Sequence, residues 1–330
     1  MKILFQIRKD YLKNIAGDSI VFLNIRKELM DLGLKVDVCT EHNIYAKNYD
    51  LVHIFNTIRV KESYEFMKNA KKYNKKVVLT PIYWDLRNFY KATNQWEKLR
   101  AWEKSEQKRK YLFENCDVFL PHCYGEAELI YRNYGIASKF AIVPYGVDPS
   151  FAKGNRHFLQ SRYGVDEYIL CVGRIHHQKN QLNLIKAMSK ENIPVVLVGS
   201  VNDKEYYYNC LQAAKNNVLF LDNIKREELK SIYKSARVHV LPSWIEYPGL
   251  ASLEAGIADC NVVSTEMGST KEVLKGFVRY CNPGAIASIY SATMEAFESP
   301  KNNQLKEYIL DHYLWKETAK KIQALYAALL

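Results

Sequence analysis

Apolar residues along the chain fall into two alternating patterns. Short runs of apolar and β-branched residues, bounded by turn formers, alternate with segments whose apolar positions recur three and four apart. In the first half KILFQI, KVDVCT, DLVHIF, KKVVLTPI, DVFLPH and KFAIVPYG read as strands. In the second half YILCVGRI, PVVLVGS, NVLFLDNI, VHVLPS, NVVSTE and VRYCN repeat the scheme, each followed by a helical pattern. Between the first two strands Ile20, Leu23, Ile25, Leu29, Met30 and Leu32 form an apolar stripe, opened by Gly17-Asp18 and closed by Gly33. Strands this uniformly apolar predict parallel sheets covered by helices on both faces. The longest stretch without a strand pattern, DPSFAKGNRHFLQSRYGVDE, divides the chain into two α/β domains, 1–148 and 149–312. The closing HYLWKETAKKIQALYAALL, within 312–330, is an amphipathic helix with no strand after it, so its apolar face needs a surface elsewhere.

Composition narrows the class. At 330 residues, 48% hydrophobic and 25% charged, the chain is globular and long enough for two cores. No apolar run approaches the ~20 residues that span a bilayer. The opening MKILFQIRKDYLKN lacks the zones of a secretory leader and reads as a first strand. Seven cysteines, scattered and never spaced C-x-x-C, predict neither a disulfide framework nor a zinc site and fit a reducing cytoplasm. The net charge of +11 is uneven: residues 59–110 hold fifteen Lys/Arg against six Asp/Glu. That balance favours anionic partners. Phe89, Tyr90, Trp96, Trp102 and Tyr111 are interleaved with the basic residues. The interleaving suits either peripheral contact with an anionic membrane or a solvated helix whose aromatics enter the core. No nucleic-acid-binding motif is present, and nucleic acid is not expected as a partner.

Ligands of open parallel sheets bind beyond the carboxyl ends of the strands. In VGRIHHQKNQ, Gly173 ends a strand, Arg174 follows at once and Lys179 stands near the next helix start; a guanidinium and an ammonium there suit a diphosphate. A basic loop with an incidental glycine has the same residues. Gly199, in LVGS, permits close backbone approach. In SWIEYPGLASLEAG, Pro248 and Gly249 cannot lie inside a helix, so Glu246 and Tyr247 precede it and Glu254 falls in its second turn. The amides of Gly249, Leu250 and Ala251 then lie between two carboxylates. A ligand with phosphate in the middle and hydroxyls at both ends fits that spacing; a nucleotide sugar has that shape. In TEMGSTKEV, residues 268–270 open a further short helix as a phosphate or sugar contact or as an ordinary cap. The first strand is not followed by G-x-G-x-x-G, which disfavours a nicotinamide dehydrogenase.

With these motifs in order, from VPYGVD at 143 to STKEVL at 274, the sequence resembles glycosyltransferases of family 4. The resemblance implies the GT-B fold: two facing Rossmann-like domains, with the final helix (313–330) crossing back to the N-terminal one. It implies a retaining, metal-independent transfer from a nucleotide-diphosphate sugar to a hydroxyl of a glycan or lipid-linked acceptor, without a resident cofactor. In this comparison Arg174 and Lys179 bind the diphosphate, with Gly249 and Leu250 amides beside them. Glu254 is the second glutamate of the Glu-x7-Glu motif, on the ribose, and Glu246 the first, beside the transferred sugar. Gly17, Gly173, Gly199 and Tyr247 complete the donor residues. Where the family carries a histidine after the fourth strand this chain has TPIYWD, so Tyr83, Trp84, Asp85 or, after the fifth strand, His122 is expected on the acceptor side. The family's glycine pair after the first strand is reduced to AGDS. A non-catalytic nucleotide-sugar binder and a retaining synthase or phosphorylase of the same fold stay open as alternatives. The resemblance places the protein in the cytoplasm, with peripheral association to the inner membrane face through 59–110.

Overall fold

Val77, Val78 and Leu79 show why the strands carry unbroken apolar runs: all three are fully buried, so both faces of their strand are covered. The structure is a computed structural model and describes residues 1–330. The chain forms two compact units, Met1–Gly146 with Trp315–Leu330, and Val147–Leu314. In the first, strands β1 (Lys2–Gln6), β2 (Lys35–Val38), β3 (Leu51–Phe55), β4 (Lys76–Thr80) and β5 (Val118–Phe119) pair in the order β2-β1-β3-β4-β5. In the second, β6 (Ile169–Val172), β7 (Val195–Val198), β8 (Val218–Leu221), β9 (Val238–Leu241), β10 (Asn261–Thr265) and β11 (Arg279–Cys281) pair as β11-β10-β9-β6-β7-β8. Every pairing is parallel. Each unit is Rossmann-like, and its chemistry-bearing loops gather at the carboxyl ends of the strands.

One expected strand does not form. KFAIVPYG follows the edge strand β5 as an irregular segment, joined by the Phe119 amide to Lys139 O (2.9 Å) and the Ala141 amide to Phe119 O (3.1 Å). β5 is only two residues long, and Pro144 has no amide proton to extend a ladder.

The segment 59–110 also departs from a surface platform. Phe89 and Trp102 are buried, Tyr111 packs its ring against Tyr64, and Trp96 is half exposed. Arg109 is buried: its guanidinium lies 3.7 Å from the Trp102 ring centre and donates to Thr57 O (3.2 Å) and the Glu106 carboxylate (2.9 Å). Two of the five interleaved aromatics are therefore core residues, two more are partly buried, and one of the counted cations is structural. All seven cysteines are unbridged and six are buried. No helix is long and apolar enough to cross a membrane.

The final helix, Trp315–Leu329, finds its surface within the first unit, against the Gly17–Asp31 helix. Ala319, Ile322 and Tyr326 are fully buried there. The Tyr326 hydroxyl meets His53 Nδ1 at 2.5 Å, and His53 Nε2 meets Thr80 Oγ1 at 2.7 Å. Burial holds the His53 pKa well below its ordinary value, so the ring is neutral and needs one donor and one acceptor. Tyr326 and Thr80 supply them. Tyr326→Phe leaves one buried ring nitrogen without a partner and is expected to lower the unfolding free energy by about 1–3 kcal/mol in urea titration. A change within a few tenths would show that the pair does not anchor the helix.

Candidate functional site

The loops after β6, β9 and β10 form one cluster in the second unit. After β6 the chain makes a short 3₁₀ turn, His177–Lys179, before the Gln181–Ala187 helix. Lys179 lies back across Gly173, where an added Cβ would stand 3.5 Å from the lysine stem. Its ammonium pairs with the Glu246 carboxylate from the β9 loop. The side chains are 17% and 3% exposed, so the pair is largely withdrawn from water. The sequence places these two residues in separate motifs; the fold joins them.

Backbone contacts fix the β9 loop. The Trp244 amide donates to Gln178 O (2.9 Å), the Glu246 amide to Met267 O (3.2 Å), and the Ser269 amide to Glu246 O (3.0 Å). Gly268 is required here: φ is +98°, and a Cβ would lie 2.1 Å from Glu246 O. Its role is to let the β10 loop run against Glu246. Gly249, at φ +80°, turns the chain into the Leu250–Ile257 helix. The first bond of that helix runs from the Ser252 amide to Gly249 O (2.8 Å), so the amides of Gly249, Leu250 and Ala251 precede the ladder. Tyr247, joined to Pro248 by a cis peptide bond, is partly exposed beside them.

Arg174 is partly exposed and donates to Asn202 Oδ1 (3.2 Å), while its carbonyl accepts from Gln181 Nε2 (2.9 Å). Gly199 carries a packing role rather than a demonstrated contact role. Its φ is +150°, and a Cβ would stand 2.2 Å from Gly173 O, so the glycine lets the β6 and β7 loops touch. Its amide is already used by Leu221 O (3.0 Å).

Glu254 points elsewhere from Glu246. Its Oε2 accepts from the Tyr233 hydroxyl at 2.9 Å. Burial pushes its pKa up to about 7, against the pull of Tyr233 and Arg226; Asp148, paired with Arg226 at 2.9 Å, adds to the rise. The side chain is only half-buried in surface terms, so the carboxyl group rather than the whole residue is withdrawn. Tyr233 itself is fully buried and was not apparent in the sequence, where SIYKSA reads as the apolar stripe of a helix.

The first unit places its residues differently. Gly17 is exposed at a helix start, with open space where a Cβ would stand. Tyr83 is fully buried, its hydroxyl bonded to Asn133 (2.8 Å) and Tyr134 (3.1 Å), and burial raises its pKa to about 12. It is a core residue with its hydroxyl already engaged. Asp85 is clamped by Arg87, at 2.5 Å, and by Asn133. Burial raises its carboxyl pKa, but these partners hold it below the usual range. His122 is buried against Glu126, Nδ1 to Oε2 at 2.6 Å. Burial disfavours its charge, but the Glu126 carboxylate outweighs this and lifts the pKa to about 10. A protonated, buried imidazole has no lone pair to accept a proton from an acceptor hydroxyl. Glu126 also takes the Tyr83 amide (2.7 Å), so this ion pair ties the β4 and β5 loops together. Trp84 is partly exposed between them.

Known proteins place this geometry in context. The family described as glycosyl transferases group 1 matches residues 155–319. A glycosyltransferase of Methanocaldococcus jannaschii is 32% identical over 174 residues, 49% of this chain and 45% of that protein. The O-antigen chain mannosyltransferase RfbU of Salmonella typhimurium is 26% identical over 214 residues, 62% and 59% of the two chains. The chain thus spans about half the length of these curated relatives. Sucrose-phosphate synthase of Thermosynechococcus elongatus superposes with a TM-score of 0.86 at 17% identity, covering 100% of this chain and 99% of that one. Anabaena HepE, in complex with UDP and glucose, gives 0.79 at 15% identity and 99% coverage of both. At such identities the superpositions establish the two-domain GT-B fold. The matched family spans the β6–β11 half with its paired Lys179 and Glu246, and on that match the chain belongs to the group 1 glycosyl transferases.

Proposed function

We propose that the protein is a retaining family 4 glycosyltransferase that moves a sugar from a nucleotide-diphosphate sugar to a hydroxyl of a glycan or lipid-linked acceptor, in cell-surface polysaccharide or glycolipid synthesis. The observation that carries this reading is the Lys179–Glu246 pair in loops shared with Arg174 and the helix-start amides at Gly249 and Leu250. Two cations and a helix N-terminus would take the charge that develops on a departing diphosphate, without a bound metal. Glu246 stands where the sugar would join the diphosphate, and Glu254, in the second turn of the following helix, accepts the ribose hydroxyls. Tyr247 and Gly173 line the same donor. In the transfer, the bond from the anomeric carbon to the diphosphate oxygen breaks. A bond to the acceptor oxygen forms on the same face, and the departing oxygen takes the acceptor's proton. HepE was solved with UDP and UDP-glucose, which favours a uridine nucleotide for this chain too.

A thermal-shift panel of UDP-, GDP- and ADP-sugars is expected to yield at least one stabilising donor and, with chelator present, the same shift. Lys179→Ala and Arg174→Ala are expected to weaken that donor by about tenfold to a thousandfold each, the range for truncating one partner of a charge-assisted contact. No shift from any donor, or unchanged affinity in both variants, would remove the diphosphate assignment.

The raised pKa of Glu254 sets a pH dependence. Below about 7 the carboxyl is protonated; above it an ionised acceptor binds two hydroxyls more strongly. Donor affinity is therefore expected to rise between pH 6 and 8. Glu254→Gln should be weaker at pH 8 and flat across that range in calorimetric titration. A nucleotide sugar has no ionisation of its own there, so an equal slope in both proteins would contradict the assignment.

Peripheral membrane contact, as part of the same reading, now rests on fewer groups. Trp96, Lys91, Lys98, Arg100 and Lys104 are exposed on neighbouring short helices. Flotation with phosphatidylserine-containing vesicles is expected to fall when the four cations are reversed to glutamate and with rising salt. Flotation unchanged by the reversal would end the membrane reading.

A further inference from the structure

Asn180 follows Lys179 directly and is 4% exposed. Its backbone is left-handed, φ 61° and ψ 29°, closing the 3₁₀ turn and opening the next helix. The side-chain amide donates to Pro242 O and to Pro283 O, each at 2.9 Å. Pro242 begins the loop that carries Glu246, and Pro283 lies in the loop after β11. One side chain thus joins the loops after β6, β9 and β11, using both of its donors. The adjoining Gln181, fully buried, turns the other way and holds the Arg174 carbonyl. Asn183 supports Pro283 O as well, at 3.2 Å. The polar pair therefore ties down the backbone at both cation-bearing positions of the β6 loop.

We infer that Asn180 is a positioning residue for the donor diphosphate: its amide latches the Lys179 turn to the Glu246 loop and keeps the ammonium in register. This rests on the donor reading above. The latch does not touch a ligand, so its loss acts on the diphosphate contact through Lys179 and leaves the Glu254 end of the site alone.

The backbone offers a clean variant. Glycine adopts the left-handed conformation as readily as asparagine, so Asn180→Gly keeps the turn and removes only the two donors. UDP, GDP and ADP are titrated into the wild-type protein, and the one that binds is compared with its parent nucleoside by competition. The wild type is expected to prefer the diphosphate strongly, and Lys179→Ala to lose that preference. Asn180→Gly is expected to cut the diphosphate-over-nucleoside preference at least tenfold, with nucleoside affinity changed less than twofold. Should the glycine variant fail to fold, Asn180→Ser is the substitute, because its hydroxyl reaches one carbonyl at most; a selective loss of diphosphate preference is again expected. Equal losses for nucleoside and diphosphate would make Asn180 merely structural, and unchanged affinities would make it irrelevant; either result overturns the inference. If the wild type binds none of the three diphosphates, the donor reading fails and takes the latch with it. If the wild type binds and Lys179→Ala responds while Asn180→Gly does not, only the latch fails.

Discussion

Withdrawing an ammonium and a carboxylate from water costs several kcal/mol per ion, and mutual attraction repays it only when geometry is good and remaining valences are filled. Lys179 and Glu246, 67 residues apart in sequence, meet under that constraint with little surface left to solvent. Their arrangement needs the β6, β9 and β10 loops to hold still together. The backbone bonds from Trp244 to Gln178 and between Glu246 and the 267–269 turn supply the rigidity. A diphosphate arriving at this pair would offer Lys179 a second anion. Glu246 would then be free to turn a carboxylate oxygen to a sugar hydroxyl. Under the donor reading proposed above, the pair would be preorganised for that anion, with the glutamate holding the lysine in register.

Glycines serve that geometry more than they serve a ligand. Gly268 and Gly199 each sit where a Cβ would drive into a neighbouring carbonyl, at 2.1 and 2.2 Å. Both approaches are backbone to backbone, so no rotamer change relieves them. The cluster of loops can close only because these positions carry no side chain. Gly249 differs: its nearest would-be neighbours are side chains at 3.5 Å and beyond, and its value lies in the turn that exposes three helix-start amides.

How much of this was legible in the sequence follows from which interactions are local. Pro248-Gly249 between two glutamates, and a glycine-ended strand followed by arginine and lysine, depend on a few consecutive residues, and the structure places them at strand ends as read. The alternation of apolar runs with helical stripes likewise gave eleven strands of the twelve proposed. The missing one failed on pairing: KFAIVPYG has the composition of a strand but only a two-residue neighbour. Interactions between distant segments left no trace. Tyr233 reads as an ordinary helix residue and Asn180 as one more residue of a basic loop, and their partners lie 21 and 62 or more positions away. Arg109 counted as surface charge because composition cannot see a Trp102 ring beneath a guanidinium. Tyr83 and His122 looked available because a strand-end aromatic or imidazole gives no sign of the Asn133, Tyr134 and Glu126 that occupy it.

The two glutamates that bracket the Pro-Gly turn end in opposite environments, and that difference bears on the roles proposed for them. Glu246 is tied to a cation and gripped through its backbone on both sides, so its carboxylate is held in one place. Glu254 has no cation in hydrogen-bond contact; it leans on a neutral phenol and its charged form is disfavoured. A carboxyl group poised near neutrality and held by a single donor keeps acceptor capacity for incoming hydroxyls, and it gains most from them when ionised. A fixed carboxylate paired with a cation suits the end of a ligand where charge develops. A loosely held one suits the end where neutral hydroxyls must be recognised. Tyr233 sets that balance: removing its hydroxyl would leave Glu254 still more reluctant to ionise, so the proposed recognition of hydroxyls by Glu254 would depend on a buried residue a helix away.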